Sequence, residues 1–410
     1  HERDSRVVRK YQAAGLHDLD QRIFCGFRTM PANTIMIMTR RLLFAGVGLS
    51  LAIAVPATAL PAHAAPTPAW RPVYQTPAGD GHGGFDDVFA LGPKKAWAVG
   101  SHQSGGLIRF AQWNGTAWRP VEVPSSVYSG LRSPALHTVT ASSPANVWAF
   151  GDARRGGADV GFALRWNGTS WTRKVFAAGM RISDAAFVGK QLWITGSRCT
   201  SSGCQGFIRR FDGKAWRAVP LPKVKTKGKR IGFNRLSPRP GGGVWAAGSV
   251  HSTSAPVSTP VVAYWNGKKW KTLPRPKVSL RKGLAYGFTD LAAQGSKTVW
   301  ATATVLSPGE GSTYAGLLLR WNGKKWKHFR IKDKQGIAKF APDGKKGFWL
   351  LNGSHRALLH FNGGKVDRRY APKAGGKNGR AFGLTRIPGT RSLWAVGVAG
   401  ERGTVWKYGP

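Results

Sequence analysis

One short apolar segment recurs seven times along the chain, and this repetition restricts the possible folds more than any other feature. The copies resemble VWAVG and contain Trp97, Trp148, Trp193, Trp245, Trp300, Trp349 and Trp394. Consecutive copies are 45 to 55 residues apart, a period typical of proteins built from repeated structural units. Because Trp and Gly are abundant and acidic residues are few, the composition disfavours a helical protein, and we expect strands.

A second motif, WNGxxW, alternates with the first. Its copies join Trp113 to Trp118, Trp166 to Trp171, Phe211 to Trp216, Trp265 to Trp270 and Trp321 to Trp326, with a degenerate FNGGKV at Phe361. Asn-Gly between apolar residues predicts a two-residue type I′ hairpin turn. With Asn114 and Gly115 as that turn, Trp113 would face Thr116 and Trp118 would face Ala111. Both tryptophans would then share one face of the sheet and pack between neighbouring sheets.

Each unit holds four predicted strands, because another short apolar segment precedes the VWAVG-like copies. Such units could form a closed ring or a linear solenoid. The chain ends on TVWKYGP, a third strand without a fourth, while WRPVYQTP from Trp70 resembles WRPVEVP from Trp118. We therefore predict an all-β, seven-bladed β-propeller of four-stranded antiparallel blades, closed by an N-terminal strand that completes the last blade.

These repeats resemble those of secreted actinobacterial Trp-rich propeller proteins, which are similar in architecture to the kelch and galactose oxidase central-domain propellers. The resemblance covers residues 70–410. It implies the fold but no particular activity, because propellers host many functions.

The N-terminal region predicts secretion. A basic start at Met38 to Arg41 precedes an apolar run from Leu42 to Leu60 and the small-x-small site at Ala62 to Ala64. We expect residues 1–37 to be an upstream non-native extension, residues 38–64 a signal peptide and residues 65–410 a single secreted, extracellular domain. Met30, Met36 and Met38 are alternative starts, and a retained membrane anchor is the competing interpretation.

Two cysteines remain after the predicted signal peptide, Cys199 and Cys204 in RCTSSGCQG. In an oxidising compartment they predict a local disulfide. A zinc site is the alternative, but no further ligand stands at suitable spacing. We expect neither a metal nor another cofactor.

The composition is strongly basic, with 62 Lys plus Arg against 18 Asp plus Glu and a formal net charge of +44. Part of this charge lies in Lys-rich turns and favours solubility. The loops after the second and fourth strands share one face of a propeller, and we assign the candidate ligand-binding residues to this face. They are His102, Asp152, Arg154, Arg155, Arg198, Lys223, Lys225, Lys227, Lys229, Arg230, His251, Lys277, Arg281, Lys282, His355 and Arg356.

Such a face predicts a monomeric, non-catalytic protein that binds anionic cell-wall or extracellular polysaccharide and makes no membrane contact after signal cleavage. Nucleic acid would also be attracted, without sequence specificity. A carbohydrate-active enzyme, a glycoside hydrolase or a lyase, is the alternative, with Asp86, Asp87, Asp152 or His102 at the channel mouth. A protein-interaction scaffold is the third hypothesis. We interpret Asp86 and Asp87 as a turn at the start of a strand, and the loop histidines as solvated side chains.

Overall fold

Seven antiparallel sheets follow one another around a ring in a computed structural model of the protein. The structure describes residues 68–79, 83–102, 107–223, 229–252, 259–307 and 311–410, and the predicted extension and signal peptide lie outside them. The first strand of each sheet contacts the first strand of the next, and the first strand of the seventh contacts that of the first. The predicted seven-bladed propeller is thus confirmed.

The strands run in chain order within each blade, from the centre outwards. Blade 1 contains β2 (Gly83–Gly92), β3 (Lys95–His102), β4 (Ile108–Trp113) and β5 (Trp118–Pro120), and blade 2 contains β6 (Arg132–Ser143), β7 (Asn146–Arg155), β8 (Ala158–Trp166) and β9 (Trp171–Ala178). Blade 3 contains β10 (Met180–Val188), β11 (Gln191–Thr200), β12 (Gly203–Phe211) and β13 (Trp216–Val219), and blade 4 contains β14 (Lys229–Pro238), β15 (Val244–Ser252), β16 (Thr259–Trp265) and β17 (Trp270–Thr272).

Blades 5 to 7 repeat this arrangement. Blade 5 contains β18 (Ala285–Ala293), β19 (Val299–Leu306), β20 (Thr313–Trp321) and β21 (Trp326–Ile331), and blade 6 contains β22 (Ile337–Pro342), β23 (Phe348–Asn352), β24 (Leu358–Asn362) and β25 (Lys365–Tyr370). Blade 7 contains β27 (Lys377–Arg386), β28 (Leu393–Ala399) and β29 (Arg402–Tyr408), with the short β26 (Lys373–Ala374) beside β27 and the N-terminal β1 (Trp70–Gln75) beside β29. A short 3-10 helix, Ser125–Tyr128, lies between blades 1 and 2.

The predicted closure by the N-terminal strand is present. β1 pairs antiparallel with β29, and Trp70 lies opposite Tyr408. The Trp70 ring is 5.4 Å from the Trp349 ring of blade 6 and 5.5 Å from the Tyr408 ring. Backbone bonding continues past the strand, since the Thr76 amide donates to the Gly403 carbonyl over 2.9 Å. Two segments from opposite ends of the described chain therefore form one sheet.

The repeated tryptophans pack between blades, as predicted. Trp394 of blade 7 contacts both Trp113 and Trp118 of blade 1, at ring distances of 5.1 and 5.3 Å. In the same way Trp97 of blade 1 meets Trp171 of blade 2, at 6.2 Å. Each such aromatic pair contributes about 0.5–1.5 kcal/mol beyond simple burial. The second strands are apolar on both sides because each is covered by a neighbouring blade on both faces.

The predicted two-residue Asn-Gly turn is wrong in blade 1. Trp113 lies directly opposite Trp118, so four residues form the turn. The Asn114 side-chain oxygen accepts hydrogen bonds from the amides of Thr116 and Ala117, at 3.0 and 2.9 Å. Gly115 has a positive φ but Asn114 does not, so the type I′ requirement at both central residues is not met, and the Asx-type capping stabilises the turn instead.

The hairpin of the degenerate FNGGKV motif differs from the blade 1 turn. Asn362 pairs with Lys365, so two residues form the turn, and both are glycines with positive φ. The degenerate FNGGKV motif therefore has the positive φ at both central residues that a type I′ turn requires, although it lacks the regular WNGxxW pattern.

Every first strand contains a bulge, and in five blades the glycine of the VWAVG-like segment lies beside it, whereas Ala303 and Asn352 take this position in blades 5 and 6. In blade 4 the register shifts between Phe233 and Arg235, and Phe233 lies opposite Gly248. A Cβ atom on Gly248 would lie 2.0 Å from the Gly232 carbonyl oxygen. The same clash, at 1.9 to 2.1 Å, would occur at Gly100, Gly151, Gly196 and Gly397. In these five blades the two backbones come so close beside the bulge that only glycine fits without a shift.

Candidate functional site

The two ends of the ring carry different connections. At one end, which we call the loop face, lie the connections that follow the second strands and those that lead from blade to blade. The turn face at the other end carries the turns between first and second and between third and fourth strands. Long connections such as 121–131 and 273–284 lie on the loop face, so this face offers more chain for binding a ligand.

Most predicted cations with described side chains are exposed on the loop face. They are Arg154, Arg155, Arg198, Lys223, Lys277, Arg281, Lys282 and Arg356. Arg154 shares the Asp159 carboxylate with Arg181, at 3.6 and 2.8 Å. Among the described residues the other seven form no salt bridge. Their charges are available to an anionic ligand.

Four predicted site residues cannot be placed as side chains. Lys225 and Lys227 lie outside the described residues. The side chains of Lys229 and His251 do so too, although their backbones belong to β14 and β15. The expected row of lysines after blade 3 is therefore represented by Lys223 alone.

The interpretation of the loop histidines as solvated side chains is wrong for His102 and His355. Both ring nitrogens of His102 lie 3.2 to 3.3 Å from the guanidinium of the buried Arg109. His355 has a positive φ, its Nδ1 is 3.0 Å from the Ala381 carbonyl oxygen, and its ring packs against Phe382. Both rings are half-buried because these contacts hold them against neighbouring side chains.

One cavity brings two of the predicted cations together. It has a volume of about 530 Å³ and lies beside the tip of the β11–β12 hairpin, on the loop face. We call it the arginine pocket, lined among others by Arg198, Arg209, Arg230, Phe207, Gln205 and Thr200. No carboxylate belongs to its lining. The arginine pocket therefore places several positive charges around a concave site, which would attract an anion.

Strand register places these side chains together. Arg198 lies opposite Gln205 in the β11–β12 ladder, and Met180 lies opposite Arg198 on the other side. Alternate residues of a strand share a face, so Gln205, Phe207 and Arg209 line the pocket in succession. Arg209 is a site residue that the sequence reasoning missed, because only loops were searched for cations. The alternation in QGFIRRF, together with Arg198, was the signal that could have found it.

The predicted disulfide is present at the hairpin tip. Cys199 and Cys204 are directly opposite each other, with Cα atoms 3.9 Å apart. Arg230 from blade 4 donates a hydrogen bond to the Ser202 carbonyl, at 2.6 Å. The covalent link and this contact fix the hairpin that carries Arg198.

The acidic residues of the inner strands join one blade to the next. Asp87 is neither in a turn nor at a strand start, which corrects that interpretation. It lies within β2, and its carboxylate accepts the Val139 amide of blade 2 at 3.0 Å and the Lys339 ammonium of blade 6 at 2.7 Å. Lys339 of blade 6 and Gly383 of blade 7 each follow the bulge of their first strand. Because Gly383 has no side chain, the Lys339 side chain can extend past blade 7 to Asp87 of blade 1. Asp86, its neighbour, is the extra residue of the β2 bulge.

Two further aspartates repeat this contact. Asp184 accepts the Leu236 amide of blade 4 at 2.7 Å, and Asp290 accepts the Phe340 amide of blade 6 at 3.0 Å. All three inner-strand aspartates follow the bulge directly. In the sequence each of these aspartates precedes two apolar residues, in DVFAL, DAAF and DLAA, and this pattern could have identified them as inner-strand residues. The sequence does not show which backbone amide each carboxylate would bind.

Burial raises the pKa of Asp184 to about 6, although Arg235 partly opposes the shift, and burial also raises the pKa of Asp290. Between about pH 4 and 6 the folded protein therefore binds a proton that the unfolded chain releases. The stabilisation that protonated Asp184 gives the folded protein is complete below about pH 4 and is lost as pH rises through 6.

We expect the free energy of unfolding to gain about 1–2 kcal/mol from Asp184 between pH 7 and pH 5. Chemical denaturation over this pH range, compared between the protein and its Asp184→Asn variant, measures the contribution, because Asn does not titrate. Equal pH profiles for the two proteins would contradict the assignment to Asp184.

Asp152, predicted as a site residue, pairs with a histidine. Its Oδ2 is 3.6 Å from His137 Nε2, and His137 Nδ1 is 3.4 Å from the hydroxyl of the buried Thr138. At 3.6 Å the Asp152–His137 contact is longer than a hydrogen bond, and the Thr138 hydroxyl is covered. Asp343 and Asp367 contact the buried His360 at 3.1 and 2.6 Å.

The described residues contain no group of three or more His, Cys, Asp or Glu side chains that could hold a metal ion. In the described part of the chain, no helix is long and apolar enough to cross a membrane.

No family model matches the chain, and no curated protein does. Among solved structures, YCF48 from Cyanidioschyzon merolae is 16% identical with a TM-score of 0.52, covering 83% of this chain and 99% of its own. A catalytically inactive virginiamycin B lyase from Staphylococcus aureus with quinupristin is 10% identical with a TM-score of 0.52, covering 83% and 100%. The Cps50 (Swd1) propeller domain of Myceliophteria thermophila is 10% identical with a TM-score of 0.51, covering 82% and 99%.

What these structures share with the chain is the β-propeller fold. At these identities the likeness carries no argument about ligand or chemistry.

Proposed function

We propose that the protein is a secreted, monomeric, non-catalytic binder of anionic cell-wall or extracellular polysaccharide, which it holds through the loop face. The observation that carries the proposal is the set of exposed loop-face cations without acidic partners, such as Lys277, Arg281 and Lys282. A polymer with regularly spaced negative charges gains from many such contacts at once, through release of its counterions.

The placement of the acids supports binding rather than hydrolysis. A glycosidase normally needs two carboxylates that face a substrate across a fixed distance. Here Asp87, Asp184 and Asp290 are bonded to backbone amides of neighbouring blades, and Asp343 is bonded to His360. These carboxylates therefore stabilise the packing within and between blades.

The disulfide supports the proposed location. Such bonds form and persist in oxidising compartments, and Cys199 and Cys204 are linked at an exposed hairpin. Secretion would also bring the loop face into contact with polysaccharide.

Charge reversal on the loop face tests the proposal. We expect Lys277→Glu, Arg281→Glu and Lys282→Glu together to weaken retention on acidic polysaccharide at least about tenfold at moderate salt, since three attractive contacts become repulsive. The measurement is retention of the purified protein on pectate or isolated cell walls across a salt series. A released-sugar assay runs on the same samples.

The matched control is Lys268→Glu, Lys269→Glu and Lys297→Glu on the turn face, which changes net charge equally at exposed positions. We expect the control to lose no more than about twofold. Equal loss in both variants would overturn the proposal of a binding face and leave only general attraction by net charge. Release of sugar from the polysaccharide would overturn the hypothesis that the protein is non-catalytic and would indicate an enzyme.

A further inference from the structure

The arginine pocket is a concave part of the loop face. Its volume of about 530 Å³ falls within the range of roughly 300–1,000 Å³ that small-molecule sites occupy. Exposed lysines on a convex surface attract any polyanion, whereas a cavity can select one unit of a polymer.

Three arginine side chains line this cavity. Arg198 and Arg209 form no salt bridge among the described residues, and Arg230 is anchored by its bond to the Ser202 carbonyl. An anion in the cavity would be attracted by all three positive charges. Guanidinium groups bind carboxylates through two parallel hydrogen bonds, and these bonds are stronger than those between neutral groups.

The remaining lining fits a sugar ring. Phe207 is half-buried, and Arg209 lies 5.9 Å from its ring centroid. Thr200 and Gln205 add neutral groups that can exchange hydrogen bonds with hydroxyls. A bare inorganic anion would use the arginines alone, whereas a sugar that bears a carboxylate would use all three kinds of group.

We propose that the arginine pocket binds one uronic acid residue, with the carboxylate held by Arg209 and the ring lying against Phe207, while Arg198 and Arg230 add positive charge to the lining. The proposal rests on the proposed function and deepens it: the loop face attracts the acidic polymer, and the pocket selects for uronate. The disulfide at the hairpin tip holds Arg198 in place before the ligand arrives, which lowers the ordering cost of binding.

Calorimetric titration with tri-galacturonate tests the proposal. We expect Arg209→Ala to weaken binding about tenfold, because a charge-assisted pair is lost. Arg209→Lys keeps the charge but loses the bidentate geometry, so we expect an intermediate loss of about threefold. The control is Arg210→Ala, which removes the same charge from the next residue of β12, whose side chain points to the opposite face of the sheet. We expect the control to bind within about twofold of the unaltered protein.

Two further ligands show whether binding depends on the carboxylates of the sugar or only on attraction of any anion. The fully methyl-esterified trisaccharide should not bind, because its carboxylates are blocked. Inorganic phosphate should compete only weakly. Equal binding of the ester, phosphate binding as tight as that of tri-galacturonate, or equal losses in Arg209→Ala and Arg210→Ala would each overturn the proposal.

The two proposals fail separately. Retention on pectate without binding of tri-galacturonate would reject the pocket and leave the loop face as a general polyanion binder. Binding of tri-galacturonate without retention on any acidic polymer would reject polymer binding and leave the pocket as a site for free acidic sugars. Thermal melting of each variant checks that the fold is intact.

Discussion

Deletion of Trp70–Gln75 is expected to abolish cooperative folding. The deletion removes the outer strand of blade 7, leaves the β29 edge unpaired and uncovers Trp349 and Tyr408. Loss of a buried Trp alone costs about 3–5 kcal/mol, against a total stability of about 5–15 kcal/mol for typical domains. The backbone pairing of the whole strand is lost as well. The measurement is thermal unfolding by circular dichroism, together with size-exclusion chromatography to detect aggregation through the open edge.

A peptide of residues 68–79 provides the control for this deletion. Added to the truncated protein, it should pair with β29 and restore a cooperative transition, because strand addition to an open edge reproduces the native ladder. A peptide in which the position of Trp70 carries Ala should restore much less. A truncated protein that melts within a few degrees of the full chain would show that the ring does not depend on this strand.

Gly248→Ala is expected to lower the free energy of unfolding by about 3 kcal/mol, at the upper end for an added methyl group. The new Cβ would lie 2.0 Å from the Gly232 carbonyl oxygen and 2.6 Å from the Phe233 Cα, and these are backbone atoms that cannot rotate away. The blade must then open at its bulge. Urea denaturation gives the change in unfolding free energy.

Gly232→Ala is the matched control for Gly248. Gly232 lies on β14, which is adjacent to the strand of Gly248 in the same blade. No atom would lie within 4 Å of a Cβ added to Gly232. We expect this variant to be neutral or slightly more stable, by up to about 1 kcal/mol, because alanine restricts the unfolded chain. If the two variants lost equal stability, the close approach at the bulge would not be the reason for the glycine of the repeated segment.

The blade architecture could be predicted because its signals are local and repeated. Each VWAVG-like segment shows its own burial pattern, and the similarity of WRPVYQTP to WRPVEVP indicated which strand closes the ring. The hairpin turn was predicted wrongly because Asn-Gly fits two turn types. The side-chain bonds from Asn114 to two amides decide between them, and the motif alone does not show those bonds.

The candidate site was predicted only in part, because its geometry depends on strand faces and distant partners. Arg198 and Arg230 were identified from their loops, but Arg209 lies in mid-strand and reaches the pocket through the alternation of β12. The role of Asp87 depends on residues 52 and 252 positions away in sequence, and no local pattern specifies those contacts. The half-buried states of His102 and His355 likewise depend on neighbours that the loops bring near.

The asparagine-capped turns also affect how the protein would age chemically. In an Asn-Gly sequence the Gly amide nitrogen readily attacks the Asn side-chain carbonyl and ammonia leaves, and water then opens the resulting succinimide ring to aspartate or isoaspartate. Blade 3 already has Asp212 at the corresponding position, and its Oδ1 accepts the Lys214 and Ala215 amides at 3.0 and 2.9 Å, as the Asn114 oxygen does in blade 1. A simple conversion of Asn114 to Asp would therefore preserve the turn and the packing of its two tryptophans, at the loss of one unit of net positive charge.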